Sequence, residues 1–110
     1  MIRRTLPKRR ATETIDQRFW NQLFTVTVGF YPDGRPGEVF IDGGKSGADL
    51  AQIARDAAVV TSLALQHGVP LDVIRHALMR DEQGRASGPL GMALDVLAAT
   101  NSFLPKGGRP

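Results

Sequence analysis

Apolar and polar residues alternate from Leu23 to Tyr31. Phe24, Val26, Val28 and Phe30 fall on one side, and Thr25, Thr27 and Gly29 on the other. A period of two places one face of a strand against a core. PDGRPG follows, a run of turn formers in which Pro32 presets φ and Asp33 caps the backbone locally. The alternation then resumes, with Val39 and Ile41 sharing a face. Segments 23–31 and 37–42 therefore predict an antiparallel hairpin. Upstream, 12–18 is a candidate edge strand.

After Asp42 the period changes. Leu50, Ile53, Ala54, Ala57, Val60, Leu63 and Ala64 recur at helical spacing, which predicts a helix over about 47–67 with these residues inward. Ser46 followed by Asp49 fits a capping box, and His67-Gly68 is a helix-end signal. Pro70 opens a second helix, about 70–80, and Pro89 a third, about 89–99. Strands first and helices after predict an α+β fold, with three helices packed on one face of a small antiparallel sheet. Two or three strands leave sheet edges that a second copy of the chain could cover, so a homodimer is a candidate. The expected organisation is a basic flexible arm (1–11), a single α+β domain (12–100) and a flexible basic tail (101–110).

Charge refines this picture. The net charge is +3, but residues 1–10 hold Arg3, Arg4, Lys8, Arg9 and Arg10 with no acid, and residues 106–110 add Lys106 and Arg109. The stretch between, 11–105, carries seven cations and eleven acids. A basic arm on an acidic body reads either as a solvated tail or as a contact for nucleic-acid phosphates or an acidic protein surface. The chain has no cysteine. That excludes thiolate nucleophiles, disulfides and thiolate metal sites. No apolar run approaches the roughly 20 residues of a membrane span, and the charged start lacks a signal-peptide pattern. The expected location is the cytoplasm.

Candidate chemistry is sparse. Gly44-Lys45-Ser46 matches the end of a phosphate-binding P-loop, but Val39 stands where that motif needs its first glycine. Gly44, Lys45, Ser46 and Gly47 remain either a strand–helix joint or an anion site at a helix start, where free N–H groups and Lys45 both favour a phosphate. His67 and His76 sit in no nucleophile motif, and two histidines with scattered carboxylates imply no metal. No catalytic residue and no cofactor is expected. Phe24 and Phe30 read as core, which leaves Trp20 and Tyr31 as candidates for stacking on a base.

Longer motifs carry a resemblance. Thr27-Val28-Gly29, Asp33-Gly34-Arg35-Pro36-Gly37-Glu38-Val39-Phe40-Ile41, Lys45-Ser46-Gly47 and Ser62-Leu63-Ala64-Leu65-Gln66-His67-Gly68-Val69-Pro70-Leu71 occur in order. They resemble the C-terminal accessory domain of adenosylcobalamin-dependent (class II) ribonucleotide reductases, often called the TSCPD domain, over about residues 3–80. The Thr-Ser-Cys-Pro-Asp motif that names the domain is absent here. The resemblance places the reductase chemistry in a separate, larger body with radical and redox cysteines. It implies a non-catalytic binding module whose ligand is a nucleotide or nucleic acid, held by the basic arm and the Lys45 helix start. The alternatives are a regulatory subunit docking on a reductase-like enzyme and a split component of such a reductase.

Overall fold

Three strands and then three helices follow one another: β1 (Thr12–Phe19), β2 (Gln22–Phe30), β3 (Pro36–Gly43), α1 (Asp49–Gln66), α2 (Leu71–Ala77) and α3 (Pro89–Thr100). They belong to a computed structural model that describes residues 2–43 and 49–100. The sheet is antiparallel in the order β1-β2-β3. Its register sets Ile15 opposite Val26, Val26 opposite Ile41, and Val28 opposite Val39. The alternation in the sequence thus becomes one continuous apolar face, with Phe24 and Phe30 at its ends. Ala54, Ala58 and Leu65 of α1 cover it together with Met92, Ala93, Leu94 and Leu97 of α3. The other face keeps Thr14, Thr27 and the half-exposed Phe40. This is the α+β architecture expected, and 12–18 is indeed a strand.

α2 stops at Ala77 rather than near residue 80, because Leu78 turns extended and Arg80 bridges to Ala86. Two further details differ from the expectation. β1 and β2 form a tight hairpin, with Phe19 opposite Gln22 and only Trp20 and Asn21 between them. Trp20 has φ 56°, a left-handed conformation that bulky residues seldom adopt. No Asn-Gly or Asp-Gly pair announces this turn, so the alternation could not show it. The second difference is the inward face of α1. Ala54, Ala58, Thr61 and Leu65 face the sheet, while Ile53, Val60 and Leu63 are exposed. The helix lies along β3 through small residues. Ser62 Oγ accepts the Val39 N–H at 2.8 Å and donates to the Val39 carbonyl at 3.1 Å. Gln66 Nε2 donates to the Gly37 carbonyl at 3.0 Å. These bonds satisfy the outer edge of β3, and such close approach needs the alanine stripe rather than the branched one.

α1 ends as its sequence predicts. Gly68 takes φ 94°, its N–H reaches the Leu65 carbonyl, and the Val69 N–H reaches Ala64. That is a Schellman cap.

Candidate functional site

The site grows from the first eleven residues. Expected as a flexible arm, residues 2–11 lie against the end of the sheet. The Arg4 N–H donates to the Gln66 carbonyl at 2.7 Å, and Arg3 Nε donates to Gln66 Oε1 at 2.6 Å. The Phe30 N–H donates to the Ala11 carbonyl at 3.0 Å. Arg10 pairs with Glu38, whose residue is only 8% exposed. The physical reason is that Gln66, Glu38 and Phe30 each present a polar group at this end of the sheet and helix, and the arm supplies the partners.

The five arm cations therefore have separate roles. Arg3 and Arg10 are held by Gln66 and Glu38. Arg4 is shared between the Tyr31 ring and Asp33. Lys8 and Arg9 are exposed, and among the described residues neither side chain has a partner.

Tyr31 is the centre of the arrangement, but not as a stacking platform. It is buried, its hydroxyl donates to the Arg4 carbonyl, and its ring lies close to Gly37. The Arg4 guanidinium sits 4.3 Å above the ring centroid and that of Arg35 sits 5.8 Å away. The ring face offered to a base by sequence reasoning already holds a cation. Asp33 lies between the two guanidiniums, 2.8 Å from Arg35 and 4.0 Å from Arg4. Its carboxyl is held below the usual carboxylate value, chiefly by the Arg35 backbone N–H and then by the Arg35 and Arg4 charges. Two guanidiniums thus share one carboxylate.

Three shallow clefts meet at Tyr31. One of about 270 Å³ is lined by Arg4, Arg35, Gln66 and His67. Another of about 270 Å³ runs past Pro7, Arg9 and Arg10. A third, about 420 Å³, reaches Val69, Pro70 and Asp72. Arginines without an acid line the first two, the third sets Arg35 against Asp72, and the Tyr31 ring borders all three, so the first two suit an anion better than the third. The Nδ1–H of His67 donates to the Leu63 carbonyl at 2.9 Å, and His76 binds the Asp72 carbonyl in the same way. Among the described residues no group of three or more His, Asp or Glu could hold a metal ion.

The other candidates lie elsewhere. Trp20 is 66% exposed and its ring packs against Phe19 at 4.7 Å. It lines a cleft of about 570 Å³ with Met92, Arg85 and Asp95. Trp20 and Tyr31 stand at opposite ends of β2, about 30 Å apart at 3.3 Å per residue. Gly44, Lys45, Ser46 and Gly47 lie outside the described residues. Their flank Gly43 pairs with Phe24, whereas Pro36, at the arm end of β3, pairs with Phe30. Six residues of strand, about 20 Å, therefore separate that flank from the arm. Asp49, the first described residue of α1, stands about 25 Å along the helix from Gln66, which holds the arm. Sequence reasoning missed Arg35 and His67: the first was hidden in a turn motif and the second in a helix end.

Comparison with known proteins gives the following. The model of the TSCPD domain matches residues 2–99. A vitamin B12-dependent ribonucleotide reductase of Streptomyces clavuligerus is 34% identical over 96 residues, 86% of this chain and 9% of the relative. One of Bradyrhizobium diazoefficiens is 41% identical over 70 residues, 64% of this chain and 6% of its own length. One of Rhodopirellula baltica is 49% identical over 49 residues, 44% of this chain and 5% of its own. The chain thus spans less than a tenth of these relatives. No solved structure matches it.

Proposed function

The chain belongs to the TSCPD domain family, and from that premise we propose that it is a non-catalytic module binding a phosphate-bearing ligand, a nucleotide or a nucleic-acid strand, at the arm edge. One observation carries the reading: Arg4 and Arg35 converge on the Tyr31 ring with a single carboxylate between them, and their side chains remain 52% and 63% exposed. Lys8 and Arg9 extend the positive edge beyond the cleft. Phosphate oxygens are the ligand such a surface fits, because exposed guanidiniums offer paired donors to them. The reductase activity in the relatives' names is not carried over, since the chain matches so little of their length and has no cysteine.

The test is binding of labelled single-stranded DNA and of a panel of nucleotides at about 50 and 200 mM salt. Three phosphate contacts on a single strand predict a loss of about twentyfold over that range. Lys8→Ala with Arg9→Ala should weaken strand binding, and Arg35→Ala should weaken both ligand types. Binding that ignores salt, or its absence in every lane, defeats the reading. Binding abolished by Lys45→Ala but untouched by Arg35→Ala moves the site away from the arm.

A further inference from the structure

α1 carries a second apolar stripe that the fold covers only in part: Leu50 packs against the core and Ala57 and Ala64 are half-buried, while Ile53 and Val60 stay open to solvent. Leu50, Ile53, Ala57, Val60 and Ala64 follow one another at spacings of three and four, the a and d positions of a coiled-coil seam. The stripe that meets the sheet is a different one. Ile53 is 62% exposed and Val60 66%, with Val59 and Leu63 beside them also open to solvent. Along the first half of the seam, the end of α2 and the start of α3 raise a facing wall. The cleft between them holds about 280 Å³ and is lined by Ile53, Ala57, Leu78, Met79, Pro89 and Leu90. Met79 at its rim is 79% exposed, and an unbranched thioether adapts its shape to a guest. Exposed branched residues clustered on one helix mark an interaction surface. The small Ala57 at the centre of the stripe lets another backbone come close.

Charge selects the occupant. Asp49 and Asp56 occupy one flank of the seam, seven residues apart and both exposed. Among the described residues no ion pair reaches Asp56, and its neighbour Arg55 is turned to Asp42 at 3.4 Å. An anionic lipid surface is repelled by that flank. A second copy laid antiparallel on the seam brings its own Asp49 and Asp56 to the same flank, like charge against like. A helix bearing lysine or arginine beside its apolar stripe is attracted to it.

We propose that the α1 seam and the Met79 cleft dock an amphipathic helix of a partner protein, apolar on one face and basic along the flank that meets Asp49 and Asp56. The surface is distinct from the arm edge. Ile53 and Gln66 stand about 20 Å apart along α1.

The experiment uses the full chain and two fluorescein-labelled peptides of about 18 residues, a length that can hold a helix. Both carry leucines at seam spacing, one with lysine flanks and one with glutamate flanks. Anisotropy should show the lysine peptide binding at least tenfold more tightly than the glutamate peptide. Ile53→Asp and Val60→Asp should each weaken the lysine peptide at least tenfold; both residues are exposed, so circular dichroism should stay unchanged. Asp56→Lys should narrow or invert the preference between the peptides. Failure of both peptides to bind overturns the proposal, as does binding indifferent to Ile53→Asp or to Asp56→Lys. Self-association in sedimentation that Val60→Asp abolishes gives the face to a second copy and overturns it as well. So does binding to anionic vesicles that Val60→Asp abolishes. Peptide binding that appears only when Phe103 and Leu104 are changed to serine gives the cleft to the chain's own tail, which likewise overturns the proposal.

Discussion

Glu38 places a carboxylate over the backbone of Gly29, where any Cβ would collide with it, and its cation comes from Arg10, twenty-eight residues earlier in the chain. The side chains of the pair are 10% and 28% exposed. Removing the cation alone leaves a nearly buried charge without a partner. Arg10→Ala should therefore cost about 2 kcal/mol, below the range for fully buried pairs because solvent reaches the arginine. The same change made in a Glu38→Gln background should cost clearly less. Urea denaturation of the four proteins measures this, and equal costs in both backgrounds would show that the pair contributes little. Asp95 makes a second residue-level case. Arg80 holds it with two hydrogen bonds of 2.7 Å and Arg75 adds one of 3.1 Å. The Arg80 hydrogen bonds, followed by the single one from Arg75, lower its carboxyl below the ordinary 3.8. A depressed folded value stabilises the fold above the unfolded value and loses that effect as pH falls through the folded one. Wild type should thus exceed Asp95→Asn by about 1 kcal/mol at neutral pH, and the gap should shrink as pH falls from the ordinary value of 3.8 through the lowered folded one. Urea midpoints across pH check it, and a gap that persists in acid would assign the loss to packing.

At the scale of elements, α1 and β3 are joined by Ser62 and Gln66 as well as by alanines. Gln66 is the more connected of the two. Its side chain binds Gly37 and Arg3, while its carbonyl takes the Arg4 N–H. Gln66→Ala should loosen the arm without unfolding the helix. Hydrogen exchange should then speed up across residues 3–6 while the amides of β2 stay protected. Unchanged exchange there would mean that Arg10 and Tyr31 hold the arm unaided. The strands of the β2–β3 hairpin and all three helices were legible in the sequence because their periods and end signals agree. The face of α1 was not. Two stripes at helical spacing compete, and the larger side chains favour the wrong one. The choice is made by the closeness of β3, which admits Ala54 and Ala58 where Ile53 and Val60 would not fit. The β1–β2 turn was hidden for another reason: Trp20 occupies a left-handed position without any of the residues that usually announce one.

For the whole molecule, β2 separates two ends, and the basic residues at the start of the chain belong to one of them. Their charge was legible, but their partners were not, because Gln66 and Glu38 become neighbours of the arm only when α1 and β3 are in place. The family match, which begins at residue 2, agrees with an arm built into the domain. Deleting residues 1–10 is then a structural lesion as well as an electrostatic one. It strips Glu38 of its cation and removes both Arg4 backbone bonds and the guanidinium above Tyr31. A loss of about 3 kcal/mol follows from the unpaired carboxylate and the uncovered polar groups together. For a domain of this size that lowers Tm by roughly 12–24 °C. Thermal unfolding at high salt isolates the effect, since screening removes most long-range charge but leaves short buried contacts. A truncated protein that melts within about 2 °C of the full chain would show the arm to be merely laid on the surface. Its lost phosphate affinity could then be read as charge alone. A large drop means that affinity must be dissected with Lys8 and Arg9, which hold no partner among the described residues, and not by shortening the chain.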